Sequence, residues 1–406
     1  MSGACIKAAN AAGSEPLWIL PGRYNVQHSK DRILTTHVGS LPRPQDLEDL
    51  LYKVEFGEDY DPEVFDATVT RAVADIVALQ REWGLDVIND GEMSKTGYAT
   101  YIQQRLDGFS GDSPSVRFDD LSNFPGFRKM LARMADTRRL NRPCCTGEVV
   151  IRDREPMRKD LENLTAAAEG SDATEFFMNA ASPGVITVFQ HNEYYPDDDA
   201  YLEALSNVMR EEYEAIANAG FVLQIDCPDL AMGRHTEYRE LSDADFLKHA
   251  EMQIEALNAA LANVPADRVR MHICWGNYEG PHHLDIPFEA IFDVLMKAKP
   301  QGLLVESSNP RHAHEWRVFE TKALPDDKII MPGVIDSVTN YIEHPGVVAD
   351  RICNYANVVG RQRVIAGADC GFATFAGIGK VDPDIAVEKF KSLVRGAEIA
   401  SERLWG

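Results

Sequence analysis

Along this chain, short apolar runs rich in β-branched residues recur, and each ends in a polar or glycine-rich tip before a stretch with helical spacing begins. Runs of this length and pattern read as strands. Eight stand out: ILTTHVGS (33–40), LDVINDGE (85–92), GVITVFQ (184–190), FVLQID (221–226), RVRMHIC (268–274), GLLVESS (302–308), IIMPGVID (329–336) and RVIAGADC (363–370). Residues 67–83 place Val69, Val73, Ile76 and Val77 on one helical face and meet Gly84. Residues 201–219 do the same with Leu202, Leu205, Met209, Tyr213 and Ile216 before Gly220. Both patterns are those of amphipathic helices stopped by a C-terminal glycine. Further helices are expected over 243–262, 345–359 and 384–401.

Strand and helix alternate to the end, which implies parallel pairing through right-handed crossovers. Eight such units predict a closed (β/α)8 TIM barrel, with a doubly wound open sheet as the competing topology. Residues 1–30 fall outside the alternation and read as an N-terminal extension, leaving 31–406 as one barrel domain. Residues 110–180 read as an insert after the second strand, rich in arginine (128, 133, 138, 139, 142, 152, 154 and 158). Those arginines predict a solvated, salt-bridged surface, with a rim for an anionic substrate as the sharper alternative.

Composition narrows the partners. The 64 acidic against 41 basic residues give a formal charge of -23, which repels nucleic acid and anionic membrane alike. No run of about 18 apolar residues is present to span a bilayer, and the first twenty residues lack the compact apolar segment of a signal peptide. A cytoplasmic location and small-molecule ligands are therefore expected, with the chain acting alone or as a homo-oligomer. The seven cysteines are odd in number and scattered, so reduced thiols are expected.

The active site of such a barrel is assembled at the C-terminal ends of its strands. Those tips carry His37 and Ser40; Asp90 and Glu92; Gln224, Asp226 and Cys227; His272 and Cys274; Glu306; Asp336; and Asp369 with Cys370. Residues 272 and 274 point to the same side of a strand, and Cys370 at another tip could meet them. Two thiolates, one imidazole and a carboxylate from Glu306 make a zinc-type ligand set. So anionic a set would make zinc a poor activator of water but a good binder of an incoming thiol, releasing its proton and presenting a thiolate at neutral pH. Glu92 and Asp226 are candidates to hold the ammonium of an amino-acid thiol, and Ser40 its carboxylate, against a plainer role as loop and helix caps. Asp336 and His37 are candidate catalytic groups. His282, His283, His312 and His314 read as surface or supporting groups, and Cys5, Cys144, Cys145 and Cys353 as structural.

These residues resemble the catalytic domain of the cobalamin-independent methionine synthase family. The likeness runs from about residue 33 to 375 through TTHVGSLPRP, DGEMS with RLDGF, QIDCPDL, MHICWGN and ADCGF. It implies a (β/α)8 barrel, zinc on His272, Cys274, Glu306 and Cys370, and an amino-acid thiol at Ser40, Glu92 and Asp226. The wording CWGNYEGPHHLDI, ESSNPRHAHEW and PGVIDSVTNYIEHP is similar to a single-domain subgroup that includes epoxyalkane:coenzyme M transferase. Val338 stands where the full synthase has a histidine thought to help protonate folate, and Cys227 replaces an acid. The thiol half of the site is kept and the donor half is altered. The expected function is zinc-dependent thiol S-methyl transfer, from methyltetrahydrofolate or another donor to a homocysteine-like thiol. The alternatives are zinc-dependent opening of an epoxide by a thiol, a metal-free lyase resembling uroporphyrinogen decarboxylase, and a non-catalytic metal binder.

Overall fold

The computed structural model describes residues 24–114, 116–134 and 142–406. Residues 1–23, with Cys5 and most of the expected N-terminal extension, and the side chains of Arg133, Arg138 and Arg139 lie outside the described residues.

Ten strands occur among the described residues: β1 (Leu34–Thr35), β2 (Val87–Ile88), β3 (Leu106–Ser110), β4 (Cys144–Ile151), β5 (Glu175–Ala181), β6 (Val222–Asp226), β7 (Val269–Ile273), β8 (Gly302–Val305), β9 (Ile329–Ile335) and β10 (Ile365–Ala368). Eight of them form one parallel sheet in the order β1-β10-β9-β8-β7-β6-β5-β2. The two ends of that order meet where Asp86 N–H donates to Thr35 O at 3.2 Å and Asp86 Oδ2 accepts from Thr35 N–H at 2.9 Å, so the sheet curls into a (β/α)8 barrel. The remaining pair, β3 and β4, is an antiparallel hairpin inserted after β2.

Helices cover the outside, and their ends are set by the local sequence. Pro62–Glu82 is capped by the Asp61 carboxylate, which accepts from the backbone of Glu63 and Val64. Asp198–Ala219 is capped by Asp197 and ends at Gly220, whose φ of 108° is the left-handed value glycine tolerates. One expected strand is instead a helix: GVITVF falls in Pro183–Phe189, and the third barrel strand is EFFMNAA, residues 175–181. A continuous apolar run has no period to separate buried strand from buried helix. Here Ser182 accepts from Val185 N–H and Pro183 occupies the first turn, a helix start that decides the case.

Period-2 alternation sorts the barrel residues. Leu223 and Ile225, like Val269, Met271 and Ile273, join the large core between strands and helices. The barrel interior holds its own cluster, including Leu34, Phe177, Val222, Leu304, Met331 and Ile365. Val26 joins that inner cluster from the segment before β1, with its N–H on Asp267 O (2.8 Å) and Tyr24 N–H on Gly220 O (2.9 Å). Asp267 and Gly220 precede their strands, so this segment closes the N-terminal end of the barrel. The opposite end is left for the site.

Candidate functional site

Alternation on two neighbouring strands brings the first polar groups together. On β6, Gln224 and Asp226 point inward, and on β7 Arg270 and His272 do, with Gln224 aligned to Arg270 and Asp226 to His272. Each pair forms one layer of the interior, and Cys274 continues the inward series just past β7.

His272, Cys274 and Cys370 have ligand atoms that all lie within 4.8 Å of one another, and all three residues are buried. The two sulfurs are 3.7 Å apart. Two Zn–S bonds of about 2.3 Å at a tetrahedral angle give a sulfur separation of roughly 3.8 Å. Neither ring nitrogen of His272 has a hydrogen-bond partner. Burial, helped by the charge of Arg270, pushes that imidazole down to about 3, so its lone pair is free at neutral pH. An orphaned neutral imidazole beside two thiols at tetrahedral spacing fits a metal ion of the zinc class. Without an ion, the contact with Cys370 and burial push the Cys274 thiol well up.

Glu306 is buried nearby but outside that group. Its Oε1 accepts from Trp275 N–H (2.8 Å) and its Oε2 from Asn309 Nδ2 (3.3 Å). Burial raises its carboxyl, opposed by His312 and His282.

One cavity, about 40 Å3, is lined by His272, Cys274 and Cys370 together with Ser40, Glu92 and Asp226. The structure thus gathers six expected site residues. Glu92 sits at φ 56°, a left-handed conformation rare for a residue with a side chain. It is held there by Arg43, whose guanidinium donates to the carbonyls of Glu92 and Lys95 at 2.8 Å each. Gly39 is glycine because a Cβ there would lie 2.6 Å from Glu92 Oε1. Glu92 Oε2 has no donor. Burial pushes the Glu92 carboxyl up to about 8 and that of Asp226 up to about 6, the latter against hydrogen bonds from Asn179 and Gln224. The charge of Lys95 opposes the rise at both acids.

The remaining expected residues are placed elsewhere. His37 is buried between the rings of Phe177 and Phe390, with Nε2 on Gln80 Oε1 at 2.7 Å, and does not line either cavity at the strand tips. Asp336 caps its own loop, Oδ1 accepting from Val338 and Thr339 N–H. Asp369 Oδ1 accepts from Ser307 and Ser308 and fixes the loop after β8. His283 and His314 are exposed. His282 and His312 are buried against Asp285, at 2.8 and 3.0 Å, behind Trp275. Arg154 and Arg158 are ion-paired on the surface, whereas Arg142 lines a second cavity of about 720 Å3.

Sequence reading passed over two further groups. Arg270, fully buried, reaches across the interior to donate to Gln224 Oε1 (2.7 Å), Thr36 Oγ1 (3.0 Å) and His37 O (2.5 Å). The period-2 series R-x-H-x-C carries that signal in the strand itself. Tyr98 and Asn277, which line both cavities, lie in loops and have no such signal.

The model of the family described as the cobalamin-independent synthase catalytic domain matches residues 33–116 and 142–381. The methionine synthase of Saccharolobus solfataricus is 25% identical over 375 residues, 91% of this chain and 95% of that protein. That of Sulfolobus acidocaldarius is 25% identical over 377 residues, 91% and 93% of the two. A B12-independent methionine synthase from Shewanella sp. W3-18-1, solved with selenomethionine, shares the fold with a TM-score of 0.70 at 18% identity, over 92% of this chain and 99% of that one. A putative vitamin-B12 independent methionine synthase from Listeria monocytogenes gives 0.63 at 22%, with the same coverage.

Proposed function

The chain belongs to the cobalamin-independent synthase catalytic-domain family and is a transferase, and on that premise we propose that it alkylates a small amino-acid thiol, in the first instance by methyl transfer to a homocysteine-like sulfur. In this reading His272, Cys274 and Cys370 hold a zinc ion, with Glu306 as fourth ligand. When bound, the ion lowers the pKa of an incoming thiol so that it is a thiolate at neutral pH. Glu306 would be the ligand most easily replaced by the thiol, because its oxygens already accept from the N–H groups of Trp275 and Asn309.

Glu92 and Asp226 take the substrate's ammonium, which supplies the donor that Glu92 Oε2 lacks. The ammonium also keeps both carboxylates ionised despite their burial. Ser40 takes the carboxylate. Held at both ends, the thiol has its sulfur beside Cys274 and Cys370, facing the wall shared with the 720 Å3 cavity. A donor in that larger cavity presents its carbon in line, the C–S bond forms as the bond to the leaving group breaks, and the small cavity excludes water as competing nucleophile.

The observation that carries this reading is that one cavity has His272, Cys274 and Cys370 at metal-binding separation and Ser40, Glu92 and Asp226 in its walls. A metal-free lyase gives the sulfur-rich group no task. The test is elemental analysis of the purified protein beside a mass-spectrometric screen of homocysteine, coenzyme M and glutathione against methyl and epoxide donors. One zinc per chain, lost in Cys274→Ser and Cys370→Ser together with thiol alkylation, is expected. Full retention of zinc by both variants refutes the ligand assignment, and turnover without metal or thiol favours a lyase.

A further inference from the structure

The thiol cavity and the 720 Å3 cavity share four wall residues, Tyr98, Met232, Asn277 and Thr374. A group passing from a donor in one cavity to a sulfur in the other crosses that wall. Of the four, Tyr98 alone carries an acidic proton, and burial holds that phenol well above the usual tyrosine range, so it stands protonated as a donor at ordinary pH. Its ring is fixed by Phe189, edge-on at 5.7 Å, and by Phe375 at 5.5 Å, while its N–H donates to Thr374 O at 3.3 Å. Its hydroxyl has no hydrogen-bond partner among the described residues.

Other acidic groups lie to one side or are occupied. Glu92 and Asp226 line only the thiol cavity, and Glu55 and Asp112 only the large one. The Tyr278 hydroxyl is spent on Asp120 Oδ2 at 2.6 Å.

We propose that Tyr98 is a catalytic residue whose phenol donates a hydrogen bond, and then its proton, to the atom that leaves the transferred carbon. This rests on the thiol-alkylation reading above. The thiolate sulfur forms a bond to carbon, the bond from carbon to the leaving atom breaks, and its electron pair stays on that atom. The atom takes the Tyr98 proton, and water in the large cavity restores the phenol. The proton released by the thiol on binding goes to solvent, so the sum is thiol plus donor giving thioether plus protonated leaving group. Such a donor has an oxygen or nitrogen that gains negative charge as it departs. A sulfonium, whose thioether leaves neutral, has no use for the residue.

The test compares two small electrophiles on metal-loaded protein with bound homocysteine. Iodide leaves iodomethane without a proton, whereas the ring oxygen of propylene oxide needs one. Tyr98→Phe keeps the ring packing, and the ratio of epoxide opening to iodomethane alkylation should fall about a hundredfold, within the range general acids supply. Epoxide opening by the unaltered protein should also be slower in heavy water, and that effect should vanish in Tyr98→Phe. An unchanged ratio overturns the proposal, as does an unaltered protein that accelerates iodomethane but not propylene oxide; either leaves the thiol reading standing. Acceleration of neither over free homocysteine overturns both.

Discussion

Arg270→Met removes a charge from the middle of the barrel while keeping a side chain of comparable length. The guanidinium is fully buried, donates to Gln224, Thr36 and His37, and lies 3.6 Å from the Phe177 ring centroid. Methionine fills the stem's volume but leaves Gln224 Oε1 and His37 O without these donors, at about 1–3 kcal/mol each. Loss of the desolvated cation–π contact adds about 2 kcal/mol. Against this stands release from burying a charge, whose effective cost is several kcal/mol. The net expectation is a loss of about 3 kcal/mol, a large share of a total stability of roughly 5–15 kcal/mol.

There is a functional consequence as well. Because Arg270 occupies Gln224 Oε1, the Gln224 amide nitrogen is turned to donate to Asp226 Oδ1 at 2.9 Å. Freed of that constraint, Gln224 can flip and the Asp226 carboxylate loses its aim. Denaturant titration of metal-free protein measures the first effect, and KM for homocysteine against a thiol without an amine measures the second. A destabilisation under about 1 kcal/mol, with equal KM changes for both thiols, would refute the reasoning, since the orphaned acceptors alone should cost more.

Two other predictions follow from the same geometry. For His282 and His312, burial opposes the charged form, but hydrogen bonds to Asp285, and for His312 also to Glu315, outweigh it and push the imidazoles up to about 9 and about 10. Both folded values lie above the ordinary 6.5, so their stabilisation is complete below about pH 6.5 and is lost as pH rises through 9 and 10. Thermal midpoints of metal-free protein should fall across pH 7–10, and Asp285→Asn should flatten that slope; an equally steep slope in the variant shows the drop has another source. Gly371→Ala places a Cβ 2.0 Å from Ser40 Oγ, so Ser40 must move. A thiol bearing a carboxylate should then bind about tenfold more weakly by calorimetry, while one lacking it is little affected; equal weakening removes Ser40 from carboxylate recognition.

Much of the architecture was legible because it depends on local periodicity. Seven of the eight expected strand runs contain a barrel strand, and the helix stops at Gly84 and Gly220 follow from single residues; the starts lie earlier than the apolar spacing over 67–83 and 201–219 marks, at the caps Asp61 and Asp197. The exception, GVITVF, is apolar on every side and so without a period; the cap at Ser182 and a neighbouring strand that fills the third barrel position decide it. Ser40, Glu92, Asp226, His272, Cys274 and Cys370 could be gathered in advance, since a parallel barrel collects its strand tips at one end. His37 and Asp336 sit at tips too, yet one side chain is turned into the core and the other into its own loop.

By itself, then, the chain's alternation of short-range patterns determined that the barrel strands would be parallel, where seven of the eight lie, and which residues stand at the ends of those seven. Only the folded barrel decided which of those ends converge. Convergence depends on strand register, on side-chain direction and on distant partners such as Arg43 holding Glu92 and Arg270 holding Gln224. Those two contacts join residues 49 and 46 positions apart, and no local period records a distance of that kind.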